Sequence, residues 1–193
     1  MGFHPKNTVR ITGKPKNAGV HSTGYSLKNS RYIGEIGLDF NLAYIASKEQ
    51  QLSYFREIAK ACADEGNKVL SIHSVKAVGA VIDELEKAGT FQNNSCIFHW
   101  FTGTAAERRR AIEAGAWFSI NPRMLKTKSG QETIKMIPAD RLLLETDAPF
   151  VNNIDSVHSL KERLEELVAG ISKIRGKDES SMIEVNSLRI CES

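Results

Sequence analysis

Cysteine is scarce: Cys62, Cys96 and Cys191 stand far apart, and no CxxC spacing occurs. An odd, scattered set excludes a disulfide framework and a thiolate zinc site, and it suits a reducing cytosol. Long hydrophobic runs are missing too. None approaches the roughly 20 residues that span a bilayer, and the first residues lack a signal peptide's apolar core. These absences predict a cytoplasmic protein with no membrane partner. No excess of charge of one sign stands out, since 26 Lys and Arg face 23 Asp and Glu for a formal net charge of +3. That balance permits a phosphate-bearing ligand without demanding one. The one tight basic cluster, Arg108 to Arg110, reads as a solvated helix face or, less often, a phosphate contact. Neither GxGxxG nor GxxxxGK[ST] occurs, which removes the usual phosphate loop of an open doubly wound sheet.

What is present is a repeated unit: a short apolar run, a polar residue at its end, then a helical pattern closed by Gly or Pro. With 41% hydrophobic residues, the 193-residue chain suffices for a single globular domain over 1–193. Strands are expected at 31–37 (RYIGEIG), 68–73 (KVLSIH), 95–99 (SCIFH), 116–120 (AWFSI) and 141–145 (RLLLE). Ser47 with Gln50, and Thr104 with Glu107, have capping-box spacing at the starts of two helices. Val78, Val81, Ile82 and Leu85 mark a third helix, and Ile134 lies in a short one that stops near Pro138. Leu160, Leu164, Leu167 and Ile171 outline a long amphipathic helix, and 182–190 a final shorter one. Strands apolar on both faces, alternating with helices, imply a parallel sheet covered by helices. The expected fold is therefore α/β, of the barrel kind in which active groups sit at the C-terminal ends of the strands.

Polar residues stand at those ends. Glu35 lies within YIGEIGLD, His73 ends VLSIH, His99 ends CIFH, and Asp147 follows LLLET. A lone strand-end histidine is ordinarily a hydrogen-bonded core residue, and a buried carboxylate is ordinarily paired with a cation. Four metal-compatible side chains on four strands, all at one end, point instead to a metal site. Mixed oxygen and imidazole donors suit zinc, manganese or iron, and a bridging carboxylate favours two ions. On the residues alone this is a metal-assisted hydrolase. Asp39 reads as a ligand, a substrate contact or a cap of its loop, with support of a ligand favoured. Glu145 can orient a ligating histidine or pair with an arginine. Trp100 and Phe101 can stack on a base or pack in the core. Asn121 can cap a loop or touch substrate, while His21 and His158 read as surface residues.

GEIGLDF (34–40), SIHSVKA (71–77), FHWFTG (98–103) and LLLETDAPF (142–150) resemble the motifs of TatD-type metal-dependent deoxyribonucleases. GFHP (2–5) and Asn186 with Leu188-Arg189 fit the same pattern, so the resemblance runs over essentially the whole chain. SIHS, HWFTG and FSIN are most similar to the TatD-like subunit of Qat anti-phage systems, which implies defence-system protein partners. The resemblance implies a (β/α)8 barrel of the amidohydrolase superfamily holding divalent ions: magnesium, manganese or zinc. It also implies that Glu35 bridges two ions and that His73 and His99 complete one site. Asp147 would bind the other ion and position or deprotonate the attacking water, and His4 would be a further active-site histidine. The implied reaction is 3′-5′ exonucleolytic cleavage of single-stranded DNA, with Glu35 and Asp147 as the catalytic carboxylates. Hydrolysis of a small amide, ester or lactone is the alternative enzyme, and an inactive binding partner the alternative without chemistry.

Two departures qualify the resemblance. The family motif reads His-Ser-Arg where this chain has His73-Ser74-Val75, and Lys76 lacks the bidentate fork of the missing guanidinium. No His-x-His occurs, although the family opens on an Asp-x-His-x-His strand. Met1 to Pro5 matches the end of the family's third strand. The expectation is a barrel without its first two strands and most of the third, binding at most one ion tightly.

Overall fold

Five short strands carry the core of the computed structural model, which describes residues 30–148 and 154–192. They are β1 (Tyr32–Asp39), β2 (Val69–Val75), β3 (Ser95–His99), β4 (Trp117–Ile120) and β5 (Leu142–Leu144). The helices are α1 (Lys48–Glu65), α2 (Val78–Ala88), α3 (Ala105–Glu113), α4 (Lys128–Met136), α5 (Val157–Arg175) and α6 (Ser180–Glu192). The strands follow chain order, β1-β2-β3-β4-β5, and β1 with β2, β2 with β3 and β4 with β5 pair in parallel. This is the α/β alternation that the sequence pattern implies. β1 and β2 each run two residues past the expected ends. The ladder is a backbone property and continues past Gly37↔His73 to Asp39↔Val75. GFHP with His4, and also His21, lie outside the described residues. Among the described residues no helix is long and apolar enough to cross a membrane.

The chain divides into two compact units. In the first, residues 30–98 and 102–116, the sheet face buries Ile33, Ile36 and Leu38 of β1 with Leu70 and Ile72 of β2. Phe55, Ala59 and Cys62 of α1 and Val81, Ile82 and Leu85 of α2 complete this core. Arg56 clamps Glu84 through two bonds of 2.8 and 3.0 Å, tying α1 to α2. Thr104 and Glu107 form the expected capping box at α3, and Glu107 also accepts from the Gly79 amide at 2.9 Å. Ser47 and Gln50 do not form theirs. A 3-10 turn, Ile45–Ser47, precedes α1; the Ser47 hydroxyl donates to the Tyr44 carbonyl, and the Gln50 amide turns to Tyr54. The arginine cluster is a solvated face only in part: Arg109 is exposed, whereas Arg108 is buried and Arg110 pairs with Asp83 and Glu86.

In the second unit, residues 99–101, 117–148 and 154–192, β4 buries all four of its residues beside Leu142 and Leu143. Phe101 packs edge-on against Phe118 at 5.4 Å, so of the two aromatics after His99 it is the core residue. Arg175 donates to the Ile134 and Ile137 carbonyls at 2.7 Å each and closes the end of α4. Asn186, fully buried on α6, donates to the Ala139 and Leu142 carbonyls at 2.8 and 2.9 Å and anchors the start of β5.

Candidate metal centre

The first half of the centre is set by a kink in β1. Ile33 lies opposite Leu70 and Ile36 opposite Ile72, so Gly34 and Glu35 together face one residue of β2. Such a bulge re-aims a side chain. Close strand approach is what demands glycine here. A Cβ on Gly34 would meet the Ser71 Cβ at 2.8 Å, and one on Gly37 (φ +142°) would meet the His73 carbonyl oxygen at 1.9 Å. Glu35 Oε1 thereby reaches His73 Nδ1 at 3.1 Å, and Asp39 Oδ2 lies 3.5 Å from His73 Nε2. The Glu35 hydrogen bond raises the His73 pKa, against the opposing pull of burial, and Asp39 adds to the rise. Protonated, the imidazole serves both carboxylates; deprotonated, it is a nitrogen ligand. Asp39 does two things at once. Its Oδ1 caps the loop by accepting from the Asn41 amide at 2.8 Å, while its other oxygen faces His73. Gln51 of α1 brackets the Asp39 backbone, accepting from its N–H at 2.7 Å and donating to its carbonyl at 3.0 Å.

The second half is organised around Glu145. Its Oε2 lies 2.6 Å from His99 Nδ1 and accepts from the Ser119 hydroxyl. Its Oε1 accepts from the Trp100 amide at 3.0 Å and from Asn121 Nδ2 at 3.2 Å. A carboxylate on Nδ1 keeps the proton there, which puts the lone pair on Nε2. His99 Nε2 faces Asp147 Oδ1 at 3.7 Å. Among the described residues Glu145 thus bonds His99 and no arginine. Asn121, fully buried, caps the following turn as well, accepting from the Arg123 and Met124 amides at 3.0 and 3.2 Å.

Each unit thus sets a carboxylate oxygen beside an imidazole nitrogen, Glu35 with His73 at 3.1 Å in the first and Asp147 with His99 at 3.7 Å in the second. Ligands around one tetrahedral ion with bonds near 2.1 Å sit about 3.4 Å apart, close to the separation within each pair. Oxygen and imidazole donors together fit a borderline divalent cation. Left-handed backbone also collects at the strand ends: Lys76 (φ 52°), Trp100 (φ 41°) and Asp147 (φ 52°) each follow a strand, where non-glycine residues rarely adopt it. Lys76 is exposed on its turn, and His158 is a surface residue paired with Glu162. Ser119 and Gln51 are the two residues that sequence reasoning missed. Ser119 carried a signal, a lone hydroxyl inside the buried strand WFSI, whereas Gln51 carried none.

The TatD-related DNase family model matches residues 1–191. The chain belongs to the TatD-related DNase family. A deoxyribonuclease Tat-D of Schizosaccharomyces pombe is 37% identical over 118 residues, 61% of this chain and 38% of that protein. A 3′-5′ ssDNA/RNA exonuclease TatD of Cronobacter sakazakii is 29% identical over 165 residues, 76% of this chain and 58% of that protein. The fold is shared with YJJV, a TatD homolog from Escherichia coli, at a TM-score of 0.72 and 18% identity, covering 88% of this chain and 68% of that one. The chain thus spans between 38% and 58% of the length of the two curated TatD relatives.

Proposed function

We propose that this chain carries a metal centre for phosphodiester hydrolysis, cutting single-stranded DNA from the 3′ end. The observation that carries the reading is the carboxylate–imidazole pairing in each unit, Glu35 with His73 at 3.1 Å and Asp147 with His99 at 3.7 Å. In this proposal Glu35, His73 and His99 hold one divalent ion, as the family motifs imply. A bound ion would supply Lewis acidity toward a water and a phosphoryl oxygen. The remaining work falls to the chain's own groups. Glu145 holds the His99 proton at Nδ1 and so keeps Nε2 available as a donor atom. Asp147, 3.7 Å from that nitrogen, receives the proton of the attacking water. Asp39 steadies His73 from the side opposite Glu35. Family membership and the activity for which the Cronobacter relative is named support the nucleic-acid substrate. The SIHS, HWFTG and FSIN motifs support a place in anti-phage defence with protein partners, and the odd, scattered set of cysteines supports a cytoplasmic setting.

The test is manganese-dependent release of mononucleotides from single-stranded DNA by this chain, compared with Glu35→Ala. Release is expected only from the wild type. Release that survives the substitution sinks the assignment. Hydrolysis of esters or lactones without any attack on DNA would move the chemistry to small substrates.

A further inference from the structure

Trp100 and Arg123 lie beside the proposed centre without belonging to its ligand set. Trp100 follows His99 directly and holds left-handed backbone at φ 41°, with its amide fixed on Glu145 Oε1 at 3.0 Å. The same carboxylate fixes the His99 ring at 2.6 Å, so indole and imidazole are indexed to one anchor. Its neighbour Phe101 goes into the core at 2% exposure, whereas Trp100 remains half-exposed. The Arg123 guanidinium sits 5.3 Å from the Trp100 ring centroid. The Arg123 amide is held by Asn121, whose own amide group donates to Glu145, so both members of the pair trace back to that carboxylate.

The chain's other tryptophan makes the comparison. Arg141 lies over Trp117 at 4.9 Å, but Arg141 also pairs with Asp140 at 3.1 Å, and Trp117 is buried. Arg123 is exposed, and among the described residues its guanidinium has no carboxylate or hydrogen-bond partner. Lys126 and Lys128 follow in the same β4–α4 segment, both exposed and both without an ion pair among the described residues. A half-exposed ring, an uncommitted fork of N–H donors and two further cations form a surface suited to a polyanion that carries flat bases.

We propose that Trp100 and Arg123 form the nucleotide-holding subsite of this centre, the indole stacking on a base of a single strand and the guanidinium taking an adjoining phosphate. The proposal rests on the nuclease reading for its substrate class, and its test does not depend on hydrolysis. In a Trp117→Phe background Trp100 is the sole indole, because the chain has two tryptophans. Metal-stripped protein in chelator is titrated with a short thymidine oligomer and with an abasic oligomer of equal phosphate count. The thymidine oligomer is expected to quench Trp100 emission, and the abasic one to bind without quenching. Trp100→Leu should weaken only the base-bearing oligomer, by about 5-fold to 150-fold. Arg123→Gln should weaken both and flatten the salt dependence by roughly 0.7 in log–log slope. Arg123→Lys should recover charge but only part of the affinity. In cleavage, Trp100→Leu and Arg123→Gln should raise KM with kcat nearly kept.

Fluorescence anisotropy of a labelled oligomer, read with Trp117 intact, replaces the emission assay if Trp117→Phe fails to fold. No quenching or affinity change, with KM unmoved in both variants, overturns the subsite. If cleavage is still manganese-dependent and lost in Glu35→Ala, the nuclease reading stands and only the subsite falls. Binding at Trp100 with no cleavage in any divalent metal supports the subsite and removes the nuclease. Absence of both binding and cleavage removes both.

Discussion

Glu145 is the most heavily used side chain of the centre: one carboxylate serves His99, Trp100, Ser119 and Asn121. Glu145→Gln keeps the size but puts an amide where His99 Nδ1–H needs an acceptor of full charge. Supporting carboxylates behind ligating histidines ordinarily account for about 10-fold to 100-fold in metal affinity. We expect a loss in that range, read by competition with a chromophoric chelator; an unchanged affinity would show that His99 needs no such support. Gly37 is a second single-residue test. Its φ of +142° and the 1.9 Å approach of a Cβ to the His73 carbonyl leave no room for alanine. Gly37→Ala should lose the cooperative thermal transition or lower Tm sharply, and a wild-type melting curve would contradict the close approach of β1 and β2. Glu35, His73, His99 and Asp147 stand out in the sequence because each is a costly polar group within or just after an apolar run. The partners of those residues were less legible. Glu145 lies 46 residues from His99, and Gln51 is an unremarkable helix residue until the fold sets it against Asp39.

Among the elements, α1 and α2 are joined by Arg56 and Glu84, and the Arg56 hydrogen bond lowers the Glu84 pKa. A depressed folded pKa gives stability that is present above the ordinary glutamate value of about 4.3 and is lost as pH falls through the lower folded value. Wild-type Tm should therefore fall through that acid window. Glu84→Gln should start lower at neutral pH and fall less, and parallel pH profiles for the two proteins would contradict the linkage. Asn186 plays the corresponding part between α6 and β5. Both of its amide hydrogens go to backbone carbonyls, one buried and one partly so, and Asn186→Leu should cost roughly 2–4 kcal/mol by chemical denaturation. Element type was readable because βα alternation and helical periodicity reinforce each other along the chain. Element ends were less readable, because caps depend on local backbone. Thr104 and Glu107 formed their box, whereas the 3-10 turn before α1 diverted the Ser47 hydroxyl to Tyr44.

At the scale of the whole molecule, each unit sets its polar groups on or just after its parallel strands: Glu35, Asp39 and His73 in one unit, and His99, Glu145 and Asp147 in the other. A ligand that binds only the folded chain stabilises it, by about 2.7 kcal/mol at a concentration 100 times its dissociation constant. Manganese should accordingly raise Tm, and chelator should reverse the gain; no shift with metal would argue against a preformed centre. The most direct measurement joins occupancy to chemistry in one sample. Wild-type protein and Glu35→Ala are titrated with manganese while free ion is read by electron paramagnetic resonance. A 5′-labelled single strand is then added to each. Wild type is expected to bind about one equivalent and to shorten the strand from its 3′ end, and Glu35→Ala to do neither. Unchanged manganese binding together with intact strand shortening in Glu35→Ala would contradict the centre described here.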